Sequence, residues 1–240
     1  MSALIAIYDV GFAVKSFWDI LSGLPTTFFI GTVSCIIGVI AGIFTALIQI
    51  YRVPVLRHLS NLYVSIGRGT PLLIQLYAFY YGIPLMMSGI NHLFGGTQIY
   101  TFQSFPPVIT AIVTFAFNVG AYLSVNFYSA ITAVDYGQVE AAKSIGMKTG
   151  QILRRIVMPQ AMVIALPNVS NSFSIMIKAT TLVFTITVVE IFARAKIAAA
   201  LNLKYLEVYT ASMIVFWIIT LVLEQSFAYF EKKLRQKGIA

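Results

Sequence analysis

Two long stretches of the chain contain no charged residue, and they limit what it can fold into more than any other feature. No Asp, Glu, Lys or Arg occurs at residues 20–51 or at residues 69–134. A membrane-spanning helix needs about 20 apolar residues, so the first stretch holds one span and the second holds two. Charged residues make up 10% of the whole chain, against roughly 25% in a soluble domain. Water is therefore not the main solvent of this protein.

The apolar segments predict an all-α integral membrane protein with about five transmembrane helices. The predicted spans are residues 25–50, 59–85, 107–129, 164–192 and 208–230. The second contains Gly67, Gly69 and Pro71, and such interruptions are tolerated at membrane depth where the backbone is buried or lines a cavity. Residues 86–104 and 193–206 are expected to be polar loops. Four spans, with a different fold of residues 69–134, are the alternative.

No secretory signal peptide is expected at the start of the chain, because the first apolar run begins after residue 20 and is too long for the core of such a peptide. Residues 12–21 alternate apolar residues with Lys15, Ser16 and Asp19. This segment is predicted either to lie in the membrane interface as an amphipathic helix, with Trp18 at headgroup depth, or to be a plain extension. Cys35 is the only cysteine, which excludes an internal disulfide and disfavours a cysteine metal site.

The distribution of basic residues predicts the orientation, because cytoplasmic loops carry the excess of Lys and Arg. Ten basic residues fall on one side of the predicted spans: Arg52, Arg57, Lys143, Lys148, Arg154, Arg155, Lys232, Lys233, Arg235 and Lys237. Four fall on the other side: Lys15, Arg194, Lys196 and Lys204. The C-terminus is therefore predicted in the cytoplasm and the N-terminus outside. The net charge of +8 is explained by these flanks, so no nucleic-acid partner is expected.

Residues 135–159 form the most polar internal stretch and read as two short helices joined by a turn. Asp135 is predicted to cap the first helix, with Gln138 completing a capping box. Gly146 can adopt the left-handed conformation that ends a helix. Thr149 is predicted to cap the second helix, and Pro159, which has no backbone donor, to mark its end. The stretch is thus expected to project into the cytoplasm as a helical hairpin.

The hairpin contains Glu140, Ala141, Ala142 and Gly146, followed by Leu-Pro at residues 166–167. This pattern resembles the EAA loop of ATP-binding cassette (ABC) importer permeases. In that family the loop forms a coupling helix that docks on the ATPase subunit. By this resemblance Glu140 supplies an anion for a basic partner residue, the two alanines allow close approach, and Gly146 turns the chain. The alternative is a solvated amphipathic hairpin with no partner.

Further motifs are similar to those of the polar amino acid permeases within that family. Residues 68–76 read RGTPLLIQL, residues 120–124 read GAYLS, and Asn171, Phe173, Lys178, Thr180 and Leu182 match the spacing N-x-F-x4-K-x-T-x-L. The resemblance covers residues 23–231. It implies the type I ABC importer permease (MetI-like) fold, with residues 1–240 as one transmembrane permease domain and the coupling loop at about 135–159.

The chain also departs from that group's pattern. The group continues GAYLS with a glutamate and an arginine three residues later, whereas this chain has Val125 and Tyr128. Ala179 follows Lys178 where the group usually has aspartate. Substrate contacts at these positions therefore cannot be carried over, and the missing glutamate disfavours a cationic substrate side chain at Val125.

Two charges predicted to lie within spans, Arg68 and Lys178, suggest a substrate pathway, because intramembrane charges usually face a cavity or a partner. A guanidinium can bind the carboxylate of an amino acid through two hydrogen bonds. The predicted substrate-binding residues are Arg68, Thr70, Gln75, Asn118, Tyr122, Ser124, Asn171 and Lys178. The alternatives are that Arg68 pairs with the protein's own backbone or extends to the interface, that Lys178 extends to the interface or pairs between subunits, and that Asn118 and Tyr122 bond across helices.

The chain contains no G-x-x-x-x-G-K-[ST] phosphate loop, so it is not expected to hydrolyse ATP or to hold a cofactor. The resemblance implies two copies of an ABC ATPase that bind ATP and Mg, an extracytoplasmic binding protein, and a second permease copy, identical or sister, in the cytoplasmic membrane. The expected substrate is a polar, net-neutral amino acid such as cystine or glutamine. The rivals are an ion-driven secondary transporter, a non-transport membrane protein, and an ABC importer of methionine or metal chelates.

Overall fold

A computed structural model describes residues 8–236 and is helical along almost all of this length. Five helical segments are long and apolar enough to cross a membrane, as predicted from the sequence. They are Leu24–Ile50, Leu72–Leu93, Pro107–Thr132, Thr149–Ile186 and Tyr205–Lys233. The third span is the most buried of the five, because 67% of its most apolar window is buried, against 22–33% in the other four.

The first, third and fifth spans lie where the sequence placed them. They correspond to helix α2 (Leu24–Ile50), helix α5 (Pro107–Thr132) and helix α10 (Tyr205–Gln236). The first and third begin within a residue of the predicted starts, and the third and fifth extend a few residues beyond the predicted ends. Lys237, one of the basic tail residues, lies outside the described residues.

The prediction of one irregular second span over residues 59–85 is wrong. The segment forms helix α3 (Leu56–Gly69) and helix α4 (Leu72–Leu93), separated by extended backbone at Thr70 and Pro71. Proline disfavours the helical conformation in the residue before it and cannot donate to the preceding turn. Only α4 is long and apolar enough to span. The loop predicted from residue 86 therefore starts later, after Leu93, and contains a short 3-10 turn at Phe102–Ser104.

The fourth span also differs from its predicted range of 164–192. Helix α7 (Thr149–Ile152), a π-helical turn (Leu153–Val157), helix α8 (Met158–Ala179) and a 3-10 segment (Thr180–Ile186) run without a break. Pro159 lies inside this helix and does not end it. The wider π turn before it, in which the Met158 N–H reaches the carbonyl of Leu153, relieves the clash between a proline ring and the preceding turn.

Residues 193–206, predicted as a polar loop, instead form most of helix α9 (Ile191–Asn202). The signal for this helix is its cap, Glu190, whose carboxylate accepts hydrogen bonds from the backbone N–H groups of Phe192 and Ala193 at 2.9 and 2.8 Å. Near the N-terminus, helix α1 (Val10–Leu21) confirms the predicted amphipathic segment as a helix, with Trp18 exposed. Helix α1 packs against α9.

The described residues fall into two compact units. The first consists of residues 8–34, 71–115 and 175–222, and the second of residues 35–70, 116–174 and 223–236. In the first unit, Lys204 at the start of α10 donates to the carboxylate of Asp9, which caps α1. This ion pair and the backbone N–H of Asp9, which donates to Glu207 at 3.1 Å, fasten α1 to the start of α10.

Glu190, in the first unit, is an acidic residue whose side chain is fully buried. Burial disfavours the charged form and raises the pKa of Glu190 from 4.5 to about 7, against the opposing effect of its two backbone donors. A carboxyl with a raised folded-state pKa contributes stability that is fully present below pH 4.5 and is lost as the pH rises through 7. Between these two pH values, Glu190 is more often protonated in the folded protein than in the unfolded chain.

We expect the apparent melting temperature of the purified wild-type protein to fall between pH 5 and pH 8 relative to that of Glu190→Gln. The glutamine removes the titration and keeps one acceptor for the α9 cap, so the difference between the two curves isolates this carboxyl. Tryptophan fluorescence in detergent measures both. Parallel curves across this pH range would contradict the assignment.

Candidate functional site: a hairpin and a polar helix face

The predicted hairpin is present in the second unit and begins with helix α6 (Tyr136–Ser144). Asp135 caps this helix as predicted, accepting from the backbone N–H of Gly137 at 2.9 Å. The predicted capping box is wrong, because the side-chain oxygen of Gln138 accepts instead from Gln160 of α8 at 2.7 Å. This bond ties the two arms of the hairpin together.

The turn of the hairpin depends on Gly146, which has a φ of +82°. A residue with a Cβ atom is destabilised by about 1–2 kcal/mol in this left-handed conformation. The predicted cap of the second arm is shifted by one residue, since Lys148 and not Thr149 precedes α7. There the Gln151 side chain accepts from the backbone N–H of Lys148 at 2.9 Å.

The four predicted coupling residues are divided between the two faces of the hairpin. Ala142 is buried, and Glu140, Ala141 and Gly146 are exposed. The exposed surface of α6 also includes Tyr136, and Ile145 follows at its end with 78% of its surface exposed. The hairpin thus exposes the Glu140 carboxylate on a surface that also carries large apolar side chains, a combination that suits a protein partner.

A cavity of about 420 Å³ lies beneath the hairpin, inside the second unit. It is lined by the ends of α2 and α5 and by both hairpin arms: Ile50, Tyr51, Ile131, Thr132, Val134, Tyr136, Val139, Lys143, Thr149, Ile152, Leu153 and Val157. Most of these groups are apolar, and Lys143 is the only charged one. The hairpin is therefore not packed solidly against the helix ends that it covers.

Three of the predicted substrate-binding residues come together where α3 crosses α5, again inside the second unit. The Arg68 guanidinium lies 5.5 Å from the centre of the Tyr122 ring, in cation–π geometry. The Tyr122 hydroxyl donates to the backbone carbonyl of Arg68 at 3.4 Å. The Asn118 amide donates to the backbone carbonyl of Gly67 at 3.0 Å. Two side chains of α5 thus hold the last turn of α3 by its backbone.

The two helices approach so closely because residue 67 is glycine. A Cβ atom there would lie 2.5 Å from the Cβ of Ala121. The contact between Gly67 and Ala121 leaves the Arg68 side chain on the exposed side of α3. Because Arg68 is in the last turn of α3, its charge also interacts favourably with the helix dipole. The expectation that Arg68 lies within a span is wrong, since α3 is not one of the five.

The other predicted site residues are distributed over both units. In the second unit, Thr70 donates to the carbonyl of Ile66, Ser124 is buried and donates to Ala121 of its own helix, and Asn171 is exposed on α8. In the first unit, Gln75 is buried in α4 and Lys178 is exposed in the fourth span. Within residues 8–236 no group of His, Cys, Asp and Glu could hold a metal ion.

A second polar feature was not predicted from the sequence. A recess of about 240 Å³ in the second unit is lined by Gln49, Arg57, Asn61, Val125 and Tyr128. Val125 and Tyr128 are two of the three positions at which the chain departs from the pattern of polar amino acid permeases. That departure was the signal available in the sequence, but it did not reveal which residues of α2 and α3 would face those positions.

Comparisons with known proteins agree with this architecture. The family described as binding-protein-dependent transport system inner membrane component matches residues 38–236. The probable amino-acid permease protein YxeN of Bacillus subtilis (strain 168) is 38% identical over 214 residues, 89% of this chain and 90% of the relative. The L-cystine transport system permease protein TcyL of the same strain is 35% identical, over 89% of this chain and 86% of the relative.

The solved structures include an amino acid ABC transporter crystallised with histidines. One of its chains has a TM-score of 0.78 and 29% sequence identity, with 94% of this chain and 99% of that chain covered. A chain of the MetNI methionine ABC transporter in an inward-facing conformation has a TM-score of 0.65 at 16% identity over 92% and 95% of the two chains. The latter similarity concerns the fold alone.

The chain belongs to the binding-protein-dependent inner membrane transport components, within the amino acid permeases of ABC importers. It is a multi-pass membrane protein with the type I importer permease (MetI-like) fold. Proteins of this family work with a substrate-binding protein and an ATPase. The chain is therefore one membrane subunit of a larger transporter.

The hairpin turn provides a test with a matched control. Gly146→Ala should make the hairpin amides exchange with solvent about 5- to 30-fold faster, because alanine strains the left-handed turn. Gly150→Ala, in open space on α7, should leave exchange unchanged or slow it, because alanine favours a helix. Hydrogen–deuterium exchange of residues 135–152 measures both. Equal exchange in the two variants would contradict the role of Gly146.

Proposed function

We propose that this chain is the non-catalytic, pore-forming subunit of an ABC importer that carries a polar amino acid across the cytoplasmic membrane. The single observation that carries the proposal is the hairpin, which presents the Glu140 carboxylate on an exposed helix above a left-handed glycine turn. A surface of this kind suits a partner that converts its own motion into motion of the permease. The chain holds no cofactor in this proposal, and the partner ATPases bind ATP and Mg.

The proposed assembly contains two ATPase copies, two permease subunits and an extracytoplasmic binding protein. The permease pair is either two copies of this chain or this chain with a sister chain. Each permease is a single transmembrane domain of residues 1–240, with the C-terminus in the cytoplasm and the N-terminus outside. The excess of Lys and Arg on the side of the hairpin supports this orientation.

In the proposed mechanism, closure of the ATPases on ATP draws the two coupling hairpins together. Glu140 pairs with a basic residue of the ATPase, and Ala141 and Ala142 let the helix seat closely. The hairpin's second arm is continuous with the fourth span through the π turn, so movement of the hairpin acts directly on that span. The cavity beneath the hairpin leaves space for such a shift without breaking a packed interface.

The proposed substrate contacts begin at Arg68, whose exposed guanidinium is positioned by the Tyr122 ring. A guanidinium binds a carboxylate through paired, charge-assisted hydrogen bonds, which suits the carboxylate group of any amino acid. Asn118 keeps the α3 end in place beside the extended backbone at Thr70 and Pro71, and broken helices bind substrates in other transporters. Gln75, Ser124, Asn171 and Lys178 are further proposed pathway residues.

The proposed substrate class is a polar, net-neutral amino acid, with cystine and glutamine as examples. A cationic side chain is disfavoured because Val125 stands where related sequences carry glutamate. The relatives TcyL and TcyB of Bacillus subtilis (strain 168) are named as L-cystine transport system permeases, which supports cystine as the first candidate to test.

The pathway proposal is tested with Arg68→Ala and Arg68→Lys in the purified full complex. We expect Arg68→Ala to lower uptake and substrate-stimulated ATPase activity at least about tenfold, because a hydrogen bond to a charged group contributes roughly 1.5–3 kcal/mol. Arg68→Lys keeps the charge but loses the paired geometry, so it should retain part of both activities. If both activities of Arg68→Ala stay within about twofold of wild type, Arg68 does not hold the substrate.

A further inference from the structure

The recess lined by Gln49, Arg57, Asn61, Val125 and Tyr128 lies on the same face of α3 as Arg68. Residues 57, 61 and 68 are separated by four and seven positions, a spacing that repeats on one side of an α-helix. Eleven residues of helix separate Arg57 from Arg68, which is about 17 Å along the axis. The recess and the Arg68–Tyr122 contact also share α5 as their opposite wall.

The recess offers mainly hydrogen-bond donors. Arg57 is the only charged residue that lines it, and none of the five lining residues is acidic. The Gln49 amide donates to the side-chain oxygen of Asn61 at 3.1 Å. This bond orients the Asn61 amide, whose NH2 group is a donor that Asn61 can present to a ligand. Tyr128 adds a hydroxyl, and the ligand that fits this set is a small anion.

The two departures from the family pattern replace an acidic–basic pair with neutral groups and leave Arg57 as the only charged residue in the lining of this recess. A glutamate at residue 125 would place a carboxylate beside Arg57, and Val125 places none. An arginine at residue 128 would add a second cation, and Tyr128 supplies a neutral donor and an aromatic wall. The lining of the recess therefore carries one positive charge. The volume of the recess, about 240 Å³, is large enough for the backbone part of an amino acid.

We propose that this recess is a second carboxylate-binding station, which receives the amino acid after it leaves Arg68 on its way through the permease. Gln49 is the last residue but one of α2, so the recess lies at the end of the first span that the charge distribution assigns to the cytoplasm. Arg57 would bind the carboxylate, and Asn61 and Tyr128 would complete its hydrogen bonds. This inference rests on the proposed transport function and adds a site to it.

A labelling experiment tests this station directly. The native Cys35 is buried, so in a full complex whose partner proteins are made cysteine-free and which is held in phosphatidylcholine nanodiscs, a Val125→Cys reporter provides the accessible thiol for a maleimide. The probes are L-glutamine and L-cystine, each beside its methyl ester, which lacks the carboxylate. We expect at least one free amino acid to slow labelling and its ester to leave the rate unchanged.

The role of Arg57 is tested in the same reporter background. Arg57→Gln should weaken the protection by about tenfold in ligand concentration, because it removes a charged hydrogen-bond donor. Arg57→Lys should retain part of the protection. Arg52→Gln is the matched control, since it removes the same charge nearby in sequence without lining the recess, and it should leave protection unchanged.

Three outcomes would overturn the station. The first is no protection by either amino acid, and the second is an equal effect of Arg57→Gln and Arg52→Gln. The third is protection by inorganic phosphate, or by phosphatidylglycerol added to the nanodiscs, without protection by an amino acid, which would assign the recess to another anion. If uptake depends on Arg68 in any of these cases, only the station is lost. If uptake is also independent of Arg68, the proposed pathway fails with it.

Discussion

In a hydrocarbon solvent, a backbone N–H or C=O group without a hydrogen bond costs several kcal/mol, and the rest of this structure depends on that constraint. It makes every span a helix, and it confines the irregular backbone to places where other groups can satisfy it. The break at Thr70 and Pro71 follows an α3 end whose carbonyls are held by Asn118 and Tyr122. The interruption and the candidate substrate contacts are thus parts of one arrangement.

The number of spans was predictable because it follows from apolar length alone, and the hairpin was predictable because Asp135 and Gly146 have strong local preferences. The helix boundaries near the proline residues could not be predicted from the sequence. Pro71 splits a predicted span into two helices, whereas Pro159 interrupts nothing, because a π turn precedes it. Sequence spacing does not distinguish these two environments. Helix α9 was missed because its cap, Glu190, falls inside residues 164–192, which were predicted as the fourth span.

The candidate site shows the same limit. Arg68, Tyr122 and Asn118 were predicted from the sequence and meet in the structure, because Gly67 lets α3 approach α5. Ser124 was predicted with them, yet its hydroxyl bonds to its own helix and is buried. Arg57, Gln49 and Asn61 carried no motif at all, and only the fold places them opposite Val125 and Tyr128. Motif matching finds residues that recur in a family. A recess lined by residues that depart from the motif can be found only in the structure.

The central claim is that ATP hydrolysis by a partner drives an amino acid through this chain. The most direct measurement is uptake into proteoliposomes that contain the chain, its ATPase and its binding protein, with a labelled amino acid competed by cystine, glutamine, glutamate, arginine and histidine. We predict uptake that requires ATP and is competed by a polar, net-neutral amino acid. Uptake that follows an ion gradient without ATP would contradict the account and would make the Glu140 hairpin a structural feature without a coupling role.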